Sequence, residues 1–275
     1  MFARASRNSD SMAARGGPAA PAVPWAWALL GGFVGALLAA LVFAPASWLA
    51  WSVGQAVGHK VQLEDARGTV WRGSARLTLS GGPGSLETTT LPGRIGWNAQ
   101  LNGSGFQIAF QADCCMDKPW QWQLAPRMGG ALLTMAATTS SWPAELLAGL
   151  GTPWNTLRAQ GQLSFSSQGL VLSWVSGRLQ LSGNAQLDAL GLSSRLSTLR
   201  PMGSYRLMLQ GGSNPSLLLS TLSGGLQLSG RGQWVGARLR FTGEARAADG
   251  FESVLSNLLN IIGRRQGARS IIQVG

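Results

Sequence analysis

Residues Arg67–Leu79 read RGTVWRGSARLTL. A tryptophan between two glycines with arginines and serines around it fits three structures: a catalytic loop, a phosphate cradle, or a strand with one apolar side. Side chains alternate across a strand with period two. Trp71, Ala75, Leu77 and Leu79 then point one way, and Arg72, Ser74, Arg76 and Thr78 the other. The glycines relieve crowding at the start of the strand or mark a bulge. No helical pattern follows, so the strand–loop–helix context of a phosphate site is missing. The stretch reads as a half-buried strand anchored by a tryptophan.

The same alternation recurs along the chain. Ile95, Trp97, Ala99 and Leu101 share a face, as do Phe106, Ile108 and Phe110, and Trp120, Trp122 and Leu124. Later runs place Leu170, Leu172 and Trp174 together, then Leu179 and Leu181, Tyr205, Leu207 and Leu209, Leu226 and Leu228, and Leu239 and Phe241. Many short alternating runs, broken by Gly, Pro, Asn and Ser, specify antiparallel sheet with one apolar face. The 38 glycines suit such a protein and disfavour a helical bundle. Ser176–Leu187 (SGRLQLSGNAQL) and Ser223–Trp234 (SGGLQLSGRGQW) also echo each other, which suggests a repeated supersecondary unit.

A broad one-sided sheet has to hide its apolar face, by curling or by carrying short helices. Trp142–Glu145 (WPAE) opens one helix that Gly151 should end. Asn214–Pro215 opens a second through Leu222. Phe251–Ile262 carries the clearest apolar stripe, with Gly263 closing it and Arg264 and Arg265 placed to suit the helix C-terminus. The expected fold is mainly β: a curved, largely antiparallel sheet with short covering helices.

No charged residue occurs between Arg15 and Lys60, and Trp25–Phe43 (WAWALLGGFVGALLAALVF) is apolar throughout. Its length matches the hydrocarbon thickness of a bilayer. Trp25 and Trp27 at one end, with Trp48 and Trp51 at the other, form the expected interfacial belt. Arg4, Arg7 and Arg15 against Asp10 hold the N-terminus on the cytoplasmic side. Ala44–Ala46 also resembles a signal-peptidase site, but the apolar stretch is longer than a signal h-region. The expected division is a leader over 1–24, an uncleaved span over 25–44 and a β domain over 45–275 beyond the membrane. Within the span, Gly31 and Gly35, and Gly32, Ala36 and Ala40, fall four apart, a spacing that lets helices approach closely and also arises by chance.

The inventory of chemistry-bearing residues is thin. His59 is the sole histidine, so a Ser-His-Asp arrangement would have to be built there. One His with two adjacent Cys makes no ordinary zinc site. Glu64 and Asp65 are neighbours facing opposite sides of a strand, a poor acid/base dyad and better read as a solvated strand end. Cys114 and Cys115 are neither a CxxC nor a disulfide framework, and a ring between them would be strained; they read as incidental. No catalytic, cofactor-binding or metal-binding residue is expected. The net charge of +11 comes from arginines scattered singly, which argues against nucleic acid and fits a surface near anionic headgroups.

GTVWRGSARL (68–77) and LPGRIGWNAQL (91–101), following a single N-terminal span, resemble the type II secretion N protein (GspN) family. LGTPWNTLRAQGQL (150–163), RLSTLRPMGSYRLMLQG (195–211) and LLNIIGRRQGARS (258–270) are also similar to it. The residues carrying the likeness are structural: Gly68, Trp71, Gly73, Pro92, Gly93, Trp97, Gly263, Arg264 and Arg265. The resemblance implies a non-enzymatic, single-pass inner-membrane accessory of type II secretion with a periplasmic domain. Its implied partners are other inner-membrane secretion subunits and the secretin. The same opening and long strands resemble AsmA-type β-groove proteins. That likeness implies an alternative, a lipid-binding trough lined by Trp97, Trp120, Trp122 and Trp174. A glycan-stacking role for exposed tryptophans is a third expectation.

Overall fold

The computed structural model describes residues 25–82, 88–152, 154–175, 177–236 and 238–275. The arginines of the leader therefore lie outside the described residues. Helix α1 (Trp25–Val42) is long and apolar enough to cross a membrane. Phe43–Gly275 forms a separate compact unit. Its first element is helix α2 (Ala46–Ala56), so Trp48 and Trp51 sit on a second helix and not at the end of the first.

The unit is one open antiparallel sheet of sixteen strands. The first eight are β1 (Val61–Gly68), β2 (Arg72–Ser80), β3 (Thr88–Thr90), β4 (Ile95–Asn102), β5 (Gly105–Ala112), β6 (Trp120–Arg127), β7 (Gly130–Met135) and β8 (Thr138–Pro143). The rest are β9 (Gln160–Val175), β10 (Arg178–Ser193), β11 (Gly203–Gly212), β12 (Ser216–Gly224), β13 (Leu226–Val235), β14 (Arg238–Ala247), β15 (Arg264–Gln266) and β16 (Arg269–Val274). Nearly every strand pairs with its sequence neighbour, so the chain meanders. The exceptions are β4, which pairs with β2 past the side strand β3, β9, which pairs with β7 past the side strand β8, and β16, which pairs with β14 ahead of β15.

The alternating residues line up across the strands in rows. Leu101, Phe106, Leu124, Leu133, Leu172 and Leu181 are successive cross-strand partners. Ile108, Trp122, Met135 and Leu170 form the row beside it. These directly opposed pairs are what stabilise a sheet face. The face is covered in sections. Ala46 and Leu49 of α2 pack on Ala75, Trp97 and Phe110. A 3₁₀ helix (Ala144–Leu150) covers Leu77, Leu79, Ile95 and Leu91 through Leu146. Beyond the one-turn helix α3 (Trp154–Leu157), helix α4 (Glu252–Ile262) buries Leu255, Leu258 and Leu259 over Tyr205, Leu226 and Ala245. The central cluster of Met135, Leu170 and Ala185, with Trp122, Phe165, Leu181 and Leu209, is made of strand residues alone.

Several expectations need correction. Arg67–Leu79 is not one strand: Arg67 and Gly68 end β1, Thr69–Trp71 turn, and β2 begins at Arg72. The segment after Asn214–Pro215 is not a helix. Its leucines alternate in β12, where Leu217 and Leu219 face Leu209 and Leu207, and pairing on both sides overrides helix propensity. Trp142 and Pro143 belong to β8, and the following turn is 3₁₀. Arg264 and Arg265 form β15 instead of decorating a helix end. The internal echo is no repeated unit: β10 and β13 are separated by two strands of an antiparallel meander and run in opposite directions.

Candidate functional site

The motif residues of the first hairpin converge on one corner. Gly68 adopts a positive φ of 89°, and a side chain on Gly73 would stand 2.5 Å from Cζ2 of Trp97. Trp97 is 5% exposed and donates its indole N–H to the carbonyls of Thr69 and Val70, each at 3.2 Å. Thus the glycine makes room for an indole that in turn fixes the hairpin turn. Trp71 stacks on Phe106 with 6.2 Å between centroids. Gly93, at φ 86°, turns the chain after Pro92 and sets Arg94 at the start of β4. From there Arg94 Nη1 donates to Asp65 Oδ2 at 2.7 Å, Nη2 to the Asp65 and Ser74 carbonyls at 2.6 and 3.0 Å, and Nε to Ser74 Oγ at 3.0 Å. Asp65 also pairs with Arg67. The Arg94 and then Arg67 hydrogen bonds hold its carboxyl below the ordinary range. Asp65 is therefore part of an arginine strap across a bulged edge, not a solvated strand end.

The four trough tryptophans share the apolar face without forming one lining. Trp97 is core. Trp120 packs against Trp142 and Phe165 at 6.0 and 5.3 Å, and Trp122 meets Phe110 edge-on at 6.5 Å. The indole nitrogens of Trp120 and Trp122 are buried and have no hydrogen-bond partner among the described residues. Trp174 is 59% exposed at the end of β9.

Gly263 presses against the Ile271 carbonyl, where an added Cβ would stand 2.5 Å away. Arg265 donates to the Gly267 carbonyl at 2.6 Å and closes the β15–β16 turn. Gly31, Gly32, Gly35, Ala36 and Ala40 all lie in α1, and a Cβ on any of the three glycines would meet nothing within 4 Å among the described residues.

Cys114 and Cys115 are bonded to each other. The tight β5–β6 turn, in which the Ala112 carbonyl accepts from both Cys115 and Met116, corrects the reading of this pair as incidental. A hollow of about 300 Å³ lies beside the pair, lined also by Asp113, Ser140 and Ser164. A second, of about 470 Å³, is lined by Glu145, Arg158 and Arg195. Among the described residues no three His, Cys, Asp or Glu side chains gather to hold a metal ion. Two features escaped sequence reasoning. Asp188 on β10 pairs with Arg206 on β11, a contact between strands that only the register reveals. Phe241 lies over Gly230, Gly232 and Gly243, and those three glycines on one face were the available signal.

The corner, the strap and the apolar rows are devices for building a sheet. The family model for type II secretion system (T2SS), protein N, matches residues 59–272, which spans β1 to β16. No curated protein and no solved structure matches the chain. All of the sheet but the last two residues of β16, and all of its motif corners, fall inside the matched region, and the chain belongs to the type II secretion system protein N family.

Proposed function

We propose that this chain is a non-enzymatic inner-membrane accessory of the type II machinery that helps folded proteins leave the periplasm. The family match carries this reading. The motif residues support it, since Gly68, Gly73 and Trp97 serve packing and backbone geometry. In this reading α1 anchors the chain with its N-terminus in the cytoplasm, and the sheet stands in the periplasm. The Gly31, Gly32, Gly35, Ala36 and Ala40 strip docks against the span of another inner-membrane subunit, and the sheet contacts secretion partners, the secretin included. Strand addition is the less favoured contact mode. β1 is bulged and carries Glu64, Asp65 and Arg67, and β15 has three residues, which are two ways of blunting an edge. The test is an in-frame deletion followed by assay of folded hydrolases in medium and periplasm. Hydrolases trapped in the periplasm and released by complementation support the role; normal export rejects it. Leucine at Gly31, Gly35 and Ala36 should lower crosslinked recovery of inner-membrane subunits.

A second reading, a lipid-binding trough, is favoured by the central cluster built from strand residues alone and by the buried indoles of Trp120 and Trp122, unpartnered among the described residues. A photoactivatable phospholipid should then label peptides containing these tryptophans. Labelling confined to the span rejects it.

A further inference from the structure

We infer that one end of the sheet rests on an anionic phospholipid bilayer and inserts its hairpin tips into the interface. The inference rests on reading α1 as a membrane anchor.

The β1–β2, β4–β5, β6–β7 and β9–β10 turns fall at the same end of an antiparallel meander. Large apolar side chains stand out to solvent there. Leu101 is 73% exposed, Trp174 59% and Leu179 65%, and Met128 is fully exposed. Trp174 and Leu179 are direct cross-strand partners, and Met128 lies in the β6–β7 turn, whose β7 side pairs with the end of β9. Large exposed apolar side chains gathered at one end of a folded unit mark a site of contact.

Two further observations choose the occupant. The first is charge. The four turns carry exposed Arg72 and Arg127; the nearest carboxylates, Glu64 and Asp65, stand back along β1, where Asp65 is paired with Arg94 and Arg67, whereas Asp113, Asp117, Glu145, Asp249 and Glu252 are all exposed at the opposite end. Arginine beside tryptophan and leucine suits a headgroup layer bearing phosphate, and the bias of exposed carboxylates toward the opposite end suits a negatively charged surface. The second is connectivity. α1 ends at Val42, and the Val70 N–H donates to the Ala44 carbonyl at 2.9 Å while Pro45 bridges to Thr69. The β1–β2 turn is therefore tied two residues from the end of the apolar helix, a reach of roughly 7 Å at most. The β6–β7 tip lies four strand spacings from β2, about 19 Å along the sheet. Trp48 and Trp51, exposed on the first turns of α2, add aromatic surface at the same end.

The test uses the full chain in vesicles of phosphatidylglycerol and phosphatidylethanolamine. Cysteine is introduced singly as Met128→Cys, Leu179→Cys or Glu145→Cys and labelled with an environment-sensitive dye; the Cys114–Cys115 bond leaves no competing thiol. Spin-labelled lipid should quench the dye at 128 and 179 and leave the dye at 145 unquenched. Arg72→Gln with Arg127→Gln, or vesicles of phosphatidylcholine alone, should remove most of that quenching. Equal quenching in phosphatidylcholine overturns the anionic assignment. Dyes at 128 and 179 that behave like the one at 145 overturn the inference and point to a protein partner. All three sites are exposed, so unchanged melting of the labelled chains guards against misfolding. Resistance to alkaline extraction is scored in the same vesicles. Extraction of the chain means the anchor reading has failed; retention without quenching means this inference alone has failed.

Discussion

Asp188 on β10 and Arg206 on β11 stand directly opposite each other, and the guanidinium Nε and Nη2 reach the two carboxylate oxygens at 2.8 Å each. The Asp188 carboxylate is largely buried, and Gln186 donates a third hydrogen bond to it at 2.9 Å. The Arg206 bonds, with a smaller share from Gln186, hold the Asp188 carboxyl below its ordinary range. A carboxyl lowered in the folded state contributes stability above its unfolded value, near 3.9, and loses it as pH falls through the folded value. The melting temperature should therefore fall as the medium is acidified below about pH 4. Asp188→Asn should flatten that fall and cost about 1–2 kcal/mol at neutral pH, the lower end being set by solvent screening of the partly exposed arginine. Thermal melts of both chains across pH check this.

Gly73→Ala forces a methyl group against the Trp97 ring and the Arg67 carbonyl, at 2.5 and 2.6 Å. The backbone and a hydrogen-bonded indole both have to give, so the variant should lose about 1–3 kcal/mol. Gly96→Ala is the control, since its added carbon meets only ordinary contacts at 3.9 Å. Denaturant titration of the two variants should separate them.

Tyr205 buries its hydroxyl without a hydrogen-bond partner among the described residues, and burial pushes its pKa up. Removing an unsatisfied buried group recovers its desolvation cost, about 1–3 kcal/mol. Tyr205→Phe should melt at the same temperature or higher. A lower melting temperature would show that the hydroxyl has a water partner.

Thiol titration of the unfolded chain should find no free thiol before reduction and two after it, since Cys114 and Cys115 are bonded to each other. One free thiol per chain, with a dimer on a non-reducing gel, would mean that the pairing runs between molecules.

What the sequence shows and hides follows from the range of each interaction. Period-two alternation is local, so Trp120, Trp122 and Leu124, or Leu207 and Leu209, identify their strands without help. β9 defeats that reading. Phe165 and Leu172 differ in parity yet serve one face, because the register slips near Gly169, which takes φ 94°. The leucines of β12 fit helix and strand equally, and only pairing with β11 and β13 decides between them. The Arg94 strap joins residues 29 apart, and neither partner signals the other. Of the sequence-expected trough, the shared face was legible. The differing exposure of Trp97, Trp120, Trp122 and Trp174 depends on which helix covers which strand.

The meander has a consequence for how the molecule is made. Each strand up to β7 lies against one already synthesised, and so does each from β9 to β14. Loop closure between neighbours is short, and domains form from the N-terminus during synthesis. The sheet can therefore be laid down row by row as the chain emerges, with a growing edge that, apart from the side strands β3 and β8, is the newest strand. That edge is exposed until α4 and the reversed pair β16–β15 arrive, so truncations before residue 252 should leave a competent but unfinished sheet with a strong tendency to recruit a foreign strand.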